Sequence, residues 1–92
     1  MTARRLLISG RVQGVGYRHW LARQAALLDV SGWVRNLGDG RVEAVVSGEG
    51  SAIEAMVQAC HRGPASAGVS RVEVEVTEPV GAPGFQTLPT VP

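Results

Sequence analysis

The sequence predicts a single α+β domain in which two helices cover one face of a mainly antiparallel sheet. Three observations carry that prediction: short β-prone apolar runs, two segments with helical spacing, and the order β-α-β-β-α-β in which they alternate. A chain of 92 residues buries roughly 60–65 % of the surface that its unfolded form exposes, enough for one core. With 45 % hydrophobic and 18 % charged residues it falls among globular chains, not disordered ones.

Leu6 to Val12 is apolar and reads as the first strand. Tyr17 to Leu28 holds no glycine or proline, and Leu21, Ala25 and Leu28 recur at helical spacing, with Trp20 and Leu27 widening the stripe. Asp29 or Ser31-Gly32 ends this helix, since aspartate tolerates the left-handed cap that glycine usually fills. Trp33-Val34-Arg35 is a short strand, Asn36-Leu37-Gly38-Asp39-Gly40 a turn, and Arg41 to Ser47 the returning strand, with Val42, Ala44 and Val46 on one face. Ser51 opens the second helix with Glu54 as a capping box, and Ile53, Met56, Val57 and Cys60 supply its apolar face. Gly63-Pro64 stops it, and Ala65 to Gly68 is a loop. Val72, Val74 and Val76 alternate with Arg71, Glu73 and Glu75 as a strand with one covered and one wet face. Phe85-Gln86-Thr87-Leu88 is a candidate last strand after a Pro/Gly loop, and Thr90-Val91-Pro92 is expected to fray. The result is a ferredoxin-like βαββαβ sandwich with a four- to five-stranded sheet.

Net charge and residue usage remove several kinds of chemistry. A formal charge of +1 gives no field for gathering a polyanion, and the four aromatic residues (two Trp, one Tyr, one Phe) do not form a stacking pair, which disfavours a nucleic-acid binder. All nine cations are arginine, so lysine Schiff bases and lysine-bearing phosphate loops are excluded. The single cysteine, Cys60, permits no internal disulfide and no thiolate cage, which fits a reducing cytoplasm. The N-terminal apolar run Leu6-Leu7-Ile8 is too short for a signal peptide or a membrane span.

What remains distinctive is Gly10-Arg11-Val12-Gln13-Gly14-Val15-Gly16-Tyr17-Arg18, between the first strand and the first helix. Glycine adopts positive φ freely, so this loop can turn successive N–H groups toward one point beside the positive end of a helix dipole. Arg18 then stands where a planar guanidinium can grip two oxygens of the same anion. Alone, such a loop is an ordinary tight turn, and Asn36 before Leu-Gly-Asp-Gly is ordinary turn chemistry. Their joint presence with Arg18 points to a phosphate site. His19 and His61 read as helix-surface residues without ligand partners, and Cys60 as core filling. Trp33 is read as packing or as a rim of the cleft, and Arg35 as a solvated strand residue or an attractor of a substrate carboxylate.

The Gly10–Arg18 segment resembles the phosphate-loop signature of the acylphosphatase family at every position. The segment Gly32-Trp33-Val34-Arg35-Asn36-Leu37-Gly38-Asp39-Gly40-Arg41-Val42 resembles that family's second signature. Asp29, where glycine is the family habit, and the short last strand are the departures. The resemblance spans nearly the whole chain, as one domain over residues 1–92. It implies hydrolysis of acyl phosphates to carboxylate and inorganic phosphate by a monomer, with no metal, no cofactor, no nucleic acid and no membrane. Gly14, Val15, Gly16, Tyr17 and Arg18 would bind the phosphoryl group, and Arg18 and Asn36 would be catalytic, Asn36 orienting the attacking water. The alternative is a non-catalytic module that binds phosphate or carbamoyl phosphate for a partner.

Overall fold

The computed structural model describes residues 1–92. Its elements are β1 (Thr2–Arg11), α1 (Tyr17–Leu28), β2 (Ser31–Asn36), β3 (Val42–Gly48), α2 (Gly50–Arg62), β4 (Gly68–Val76) and β5 (Phe85–Thr87). The sheet order is β4-β1-β3-β2-β5. β1 pairs antiparallel with β3 and β4, and β2 with β3, whereas β5 runs parallel to β2. This is the expected ferredoxin-like α+β sandwich, with the fifth strand present.

Because side chains alternate across a strand, Leu6 and Ile8 of β1, Val34 of β2 and Val42, Ala44 and Val46 of β3 all project to one face. There they meet Tyr17, Leu21 and Ala25 of α1 and Ile53, Met56 and Cys60 of α2 in a single buried core. The helical spacing of the sequence thus marks the inward residues correctly, except Leu27, which is 80 % exposed. Leu27 lies two residues beyond Ala25, roughly 200° round the helix, and so faces away from the sheet.

Asp29 takes the left-handed cap at φ 56°, its N–H reaching the Ala25 and Ala26 carbonyls. The capping box at Ser51 is absent: α2 starts at Gly50, its N-cap is Glu49, and no side chain bonds the cap. Packing, not capping, places that end, since Ile53 enters the core one turn in.

The two edges also differ from expectation. On β4, Val72 packs against the core, but Val74 and Val76 are 44 % and 80 % exposed because no element covers that end of the edge strand. At the opposite edge Thr90-Val91-Pro92 is not frayed. Past β5 the chain keeps to the side of β2, with Leu88 N–H on Val34 O at 2.9 Å and Val91 N–H on Asn36 O at 3.1 Å.

Candidate active site

β1 delivers the chain into the glycine loop at the end of the sheet where β2 finishes on Asn36. Gly14 and Gly16 both sit in the left-handed region, at φ 73° and 77°. A Cβ added at either would meet nothing within 4 Å, so the demand for glycine is conformational and not one of space. Two left-handed residues flanking Val15 fold the loop into a concavity directly before α1. Gly16 is the cap of α1, no side chain bonds it, and no acidic residue stands in the first turn. The first α1 bond runs from Trp20 N–H to Gly16 O at 3.0 Å, leaving the N–H groups of Tyr17, Arg18 and His19 without intrahelical partners. Free amides and an unneutralised dipole end together suit an anion.

The concavity opens as a cleft of about 430 Å³, lined by Val12, Gln13, Gly14, Gly16, Tyr17, Arg18, His19, Asn36 and Thr87. Four polar side chains of the lining make no hydrogen bond; His19 and Thr87 are exposed to solvent, whereas Arg18 and Asn36 are half-buried and so lose more by it. Arg18 is half-buried and makes no ion pair or hydrogen bond, whereas Arg5, Arg35 and Arg41, also half-buried, each hold a carboxylate. Asn36 Oδ1 is the one buried side-chain oxygen or nitrogen in the chain with no hydrogen-bond partner. A buried acceptor left open costs about 1–3 kcal/mol, so its persistence beside an open cationic side chain is informative. A second groove, of about 590 Å³ between α2 and the β1–β4 edge, is larger but carries no such pair of open groups, its charged lining being Arg4 and Glu54. Size alone would select the wrong place.

Five of the six expected site residues line the cleft. The exception is Val15, which packs against the core while its carbonyl accepts from Ser66 Oγ at 3.1 Å. Tyr17 takes part through its backbone: the ring is buried and its hydroxyl donates to Cys60 O at 2.7 Å. Burial pushes that phenol far above its ordinary range, so it is no proton donor to a substrate. Burial likewise raises the Cys60 thiol to about 12, and the residue is core filling. Neither Arg35 nor Trp33 reaches the cleft. Both lie on the open face of the sheet, Arg35 bonded to Glu43 at 2.7 Å and its guanidinium 4.7 Å from the Trp33 ring centroid. His19 and Thr87 border the cleft unforeseen, as does the Gln13 side chain, whose amide donates to Leu37 O at 2.8 Å and Arg41 O at 2.9 Å. Gln13 had a signal, an uncharged polar side chain within the loop motif, but its partners lie 24 and 28 residues on. No three His, Cys, Asp or Glu side chains converge in the chain as metal ligands would.

Uncapped helix amides, an unpaired guanidinium and a carboxamide at one cleft of an α+β sandwich have the chemistry of a site for a small anion. The acylphosphatase family model matches residues 4–87. The acylphosphatase of Acidiphilium cryptum is 47 % identical over 85 residues, covering 92 % of this chain and 93 % of that relative. That of Thermococcus kodakarensis is 52 % identical over 83 residues, 90 % of this chain and 91 % of its own. The crystal structure of acylphosphatase from Bacillus subtilis superimposes with a TM-score of 0.91 at 32 % identity, covering 96 % of this chain and 99 % of that one. The chain belongs to the acylphosphatase family. These likenesses support an enzyme that hydrolyses acyl phosphates and do not favour a non-catalytic module.

Proposed function

We propose that the cleft hydrolyses acyl phosphates by gripping the phosphoryl group at the Gly14–Arg18 loop while Asn36 aims the attacking water. The observation that carries this reading is that two residues lining one cleft, Arg18 and Asn36, hold half-buried polar groups that nothing in the chain satisfies, the Arg18 guanidinium and Asn36 Oδ1. The amides at the α1 N-terminus and the Arg18 guanidinium hold the equatorial oxygens, where charge accumulates as the P–O bond breaks. Asn36 Oδ1 accepts a hydrogen bond from water and its NH₂ donates to the phosphoryl group. Water oxygen bonds to phosphorus, the bond from phosphorus to the acyl oxygen breaks, and the carboxylate leaves with its electron pair. Asparagine is no base, so the water proton passes to a phosphoryl oxygen of the substrate itself. A carboxylate is a good leaving group, and no general acid is needed. Orientation supplies most of the rate.

We assign this chemistry to one domain over residues 1–92, acting as a monomer in the cytoplasm with inorganic phosphate as product and inhibitor. A single core supports the first point. A lone buried cysteine supports a reducing compartment. No helix is long and apolar enough to cross a membrane. The test is benzoyl phosphate hydrolysis in EDTA by the wild type, Arg18→Ala and Asn36→Ala, with inhibition by inorganic phosphate measured alongside. Turnover is expected to fall steeply in both variants, with phosphate inhibition of the residual activity kept in Asn36→Ala and weakened in Arg18→Ala. Phosphate binding by a wild type that turns nothing over would replace the enzyme with a binding module.

A further inference from the structure

The Gln13 side chain belongs to the loop motif, yet neither the phosphoryl grip nor the water site has a use for it. Its Nε2 donates to Leu37 O at 2.8 Å and to Arg41 O at 2.9 Å. Those two carbonyls sit at the base of the β2–β3 turn, where Leu37 N–H donates to Arg41 O at 2.9 Å and Gly40 N–H to Leu37 O at 3.2 Å. Both protons of one amide nitrogen are therefore committed to the hairpin, one of them on the residue directly after Asn36.

The sheet order explains why such a tie matters. β3 lies between β1 and β2, so no ladder bond joins the strand that leads into the glycine loop to the strand that ends on Asn36. Among the side-chain hydrogen bonds, the two from Gln13 alone join the segment 12–18 to the segment 36–41. We infer that Gln13 is a positioning residue that sets the spacing between the phosphoryl grip and the Asn36 carboxamide, an inference that rests on the roles proposed above for Arg18 and Asn36. The geometry requires two donors on one planar nitrogen at glutamine's reach. Asparagine is one methylene short, leucine has no donor, and glutamate presents acceptors to two carbonyl oxygens. A misplacement of about 1 Å between reacting groups can cost on the order of 10²-fold in rate, so a tie of this kind acts on turnover before it acts on binding.

The experiment compares Gln13→Leu, Gln13→Glu, Asn36→Ala and the Gln13→Leu/Asn36→Ala double variant, each with thermal unfolding recorded. The readouts are kcat and KM for benzoyl phosphate and the inhibition constant of inorganic phosphate. Gln13→Leu is expected to lower kcat by about 10- to 10²-fold while the phosphate inhibition constant moves by less than about threefold. The double variant should be no slower than Asn36→Ala, because a residue acting through Asn36 has nothing left to position. In Gln13→Glu, activity relative to wild type should recover only in part as pH falls, because the protonated carboxyl restores one of the two donors. A purely structural residue would lower the melting temperature without the split, the non-additivity or the pH-dependent ratio. Losses that multiply in the double variant, or an unchanged kcat in Gln13→Leu, would overturn the inference while leaving Asn36 in its role. Unchanged turnover in Asn36→Ala would instead overturn the reading beneath it. If Gln13→Leu does not fold, the pH ratio of Gln13→Glu decides, and a flat ratio rejects the proposal.

Discussion

Two places in this molecule use arginine in opposite ways. On the open face of the sheet, Arg5 and Arg35 close on Glu43 at 2.7 Å each, and Glu75 adds a longer contact to Arg5 at 3.4 Å. Burial alone would raise the Glu43 carboxyl, but hydrogen bonds and charge from Arg35 and Arg5 outweigh it and hold it below the usual carboxylate range. At the cleft, Arg18 has the same guanidinium, comparable burial and no carboxylate at all. One cluster contains its anion, and the other lacks it. An arginine that the chain itself neutralises serves architecture. One held half-buried beside uncapped helix amides and left without a counterion is available to an outside anion, and that difference, not the number of arginines, is why the proposed site is placed there.

Removing Arg18 should break the comparison hardest. Arg18→Ala is expected to lower kcat/KM for benzoyl phosphate by about 10³-fold or more, by analogy with other cations placed on a transferring phosphoryl group. Its melting temperature should hardly move, because no internal partner loses a contact. Asn36→Ala should cost on the order of 10²–10³ in kcat, as loss of one preorganised polar group does, and should not destabilise the fold, because the orphaned oxygen goes with it. A large fall in melting temperature in either variant would mean that the open groups are architectural after all.

On the other face the expected pattern reverses. Glu43→Ala leaves Arg35 without a carboxylate and Arg5 with only its longer contact to Glu75, and should destabilise by about 2 kcal/mol, below the usual range for breaking a buried pair. The reduction reflects arginine side chains that are still 32 % and 30 % exposed, and so partly screened by water. For a domain of this size that is a fall of about 8–16 °C in melting temperature, with kcat on benzoyl phosphate unchanged. The pH dependence has a definite sign. A carboxyl whose folded value lies below its ordinary 4.5 contributes stability that is present above 4.5 and lost as pH falls through the folded value. Chemical denaturation between pH 6 and pH 3 should therefore show an acid limb that is shallower in Glu43→Gln.

The legible parts of this chain are those whose cause is local. Helical spacing marks Leu21, Ala25, Ile53, Met56 and Cys60 as inward, and every one is buried. The glycine loop is legible because left-handed φ is a property of two residues, Gly14 and Gly16, and the Arg18 that follows is fixed by the start of the helix. What eludes the sequence is the pairing of distant segments. Nothing near Gln13 announces Leu37 and Arg41, nothing near Val91 announces Asn36 O, and nothing near Glu43 announces the two arginines from neighbouring strands that close over it. Arg35 illustrates the ambiguity: a shift of one position along β2 separates the residue that ends in the cleft, Asn36, from one that ends on the opposite face.

The smallest expected effect sharpens the comparison by asking whether a bare helix N-terminus is enough. Both helices begin without a side-chain cap, α1 at Gly16 and α2 at Glu49. If free amides alone made an anion site, α2 would bind phosphate as well. Its surroundings argue otherwise, because an acidic residue occupies the cap position, Glu54 lines the adjoining groove, and no left-handed loop precedes it. Inorganic phosphate titrated into the labelled protein should shift amide resonances at Gly14–His19 and leave Gly50–Ile53 unmoved. Ser51→Ala should change stability by less than about 0.5 kcal/mol, against about 1 kcal/mol if its hydroxyl capped the helix. A shift at Gly50–Ile53, or a full capping loss at Ser51, would show that helix ends are interchangeable here. Neither result is expected, because the proposed anion site at α1 depends on the left-handed Gly14 and Gly16 and the unpaired Arg18, and α2 has no counterpart to either.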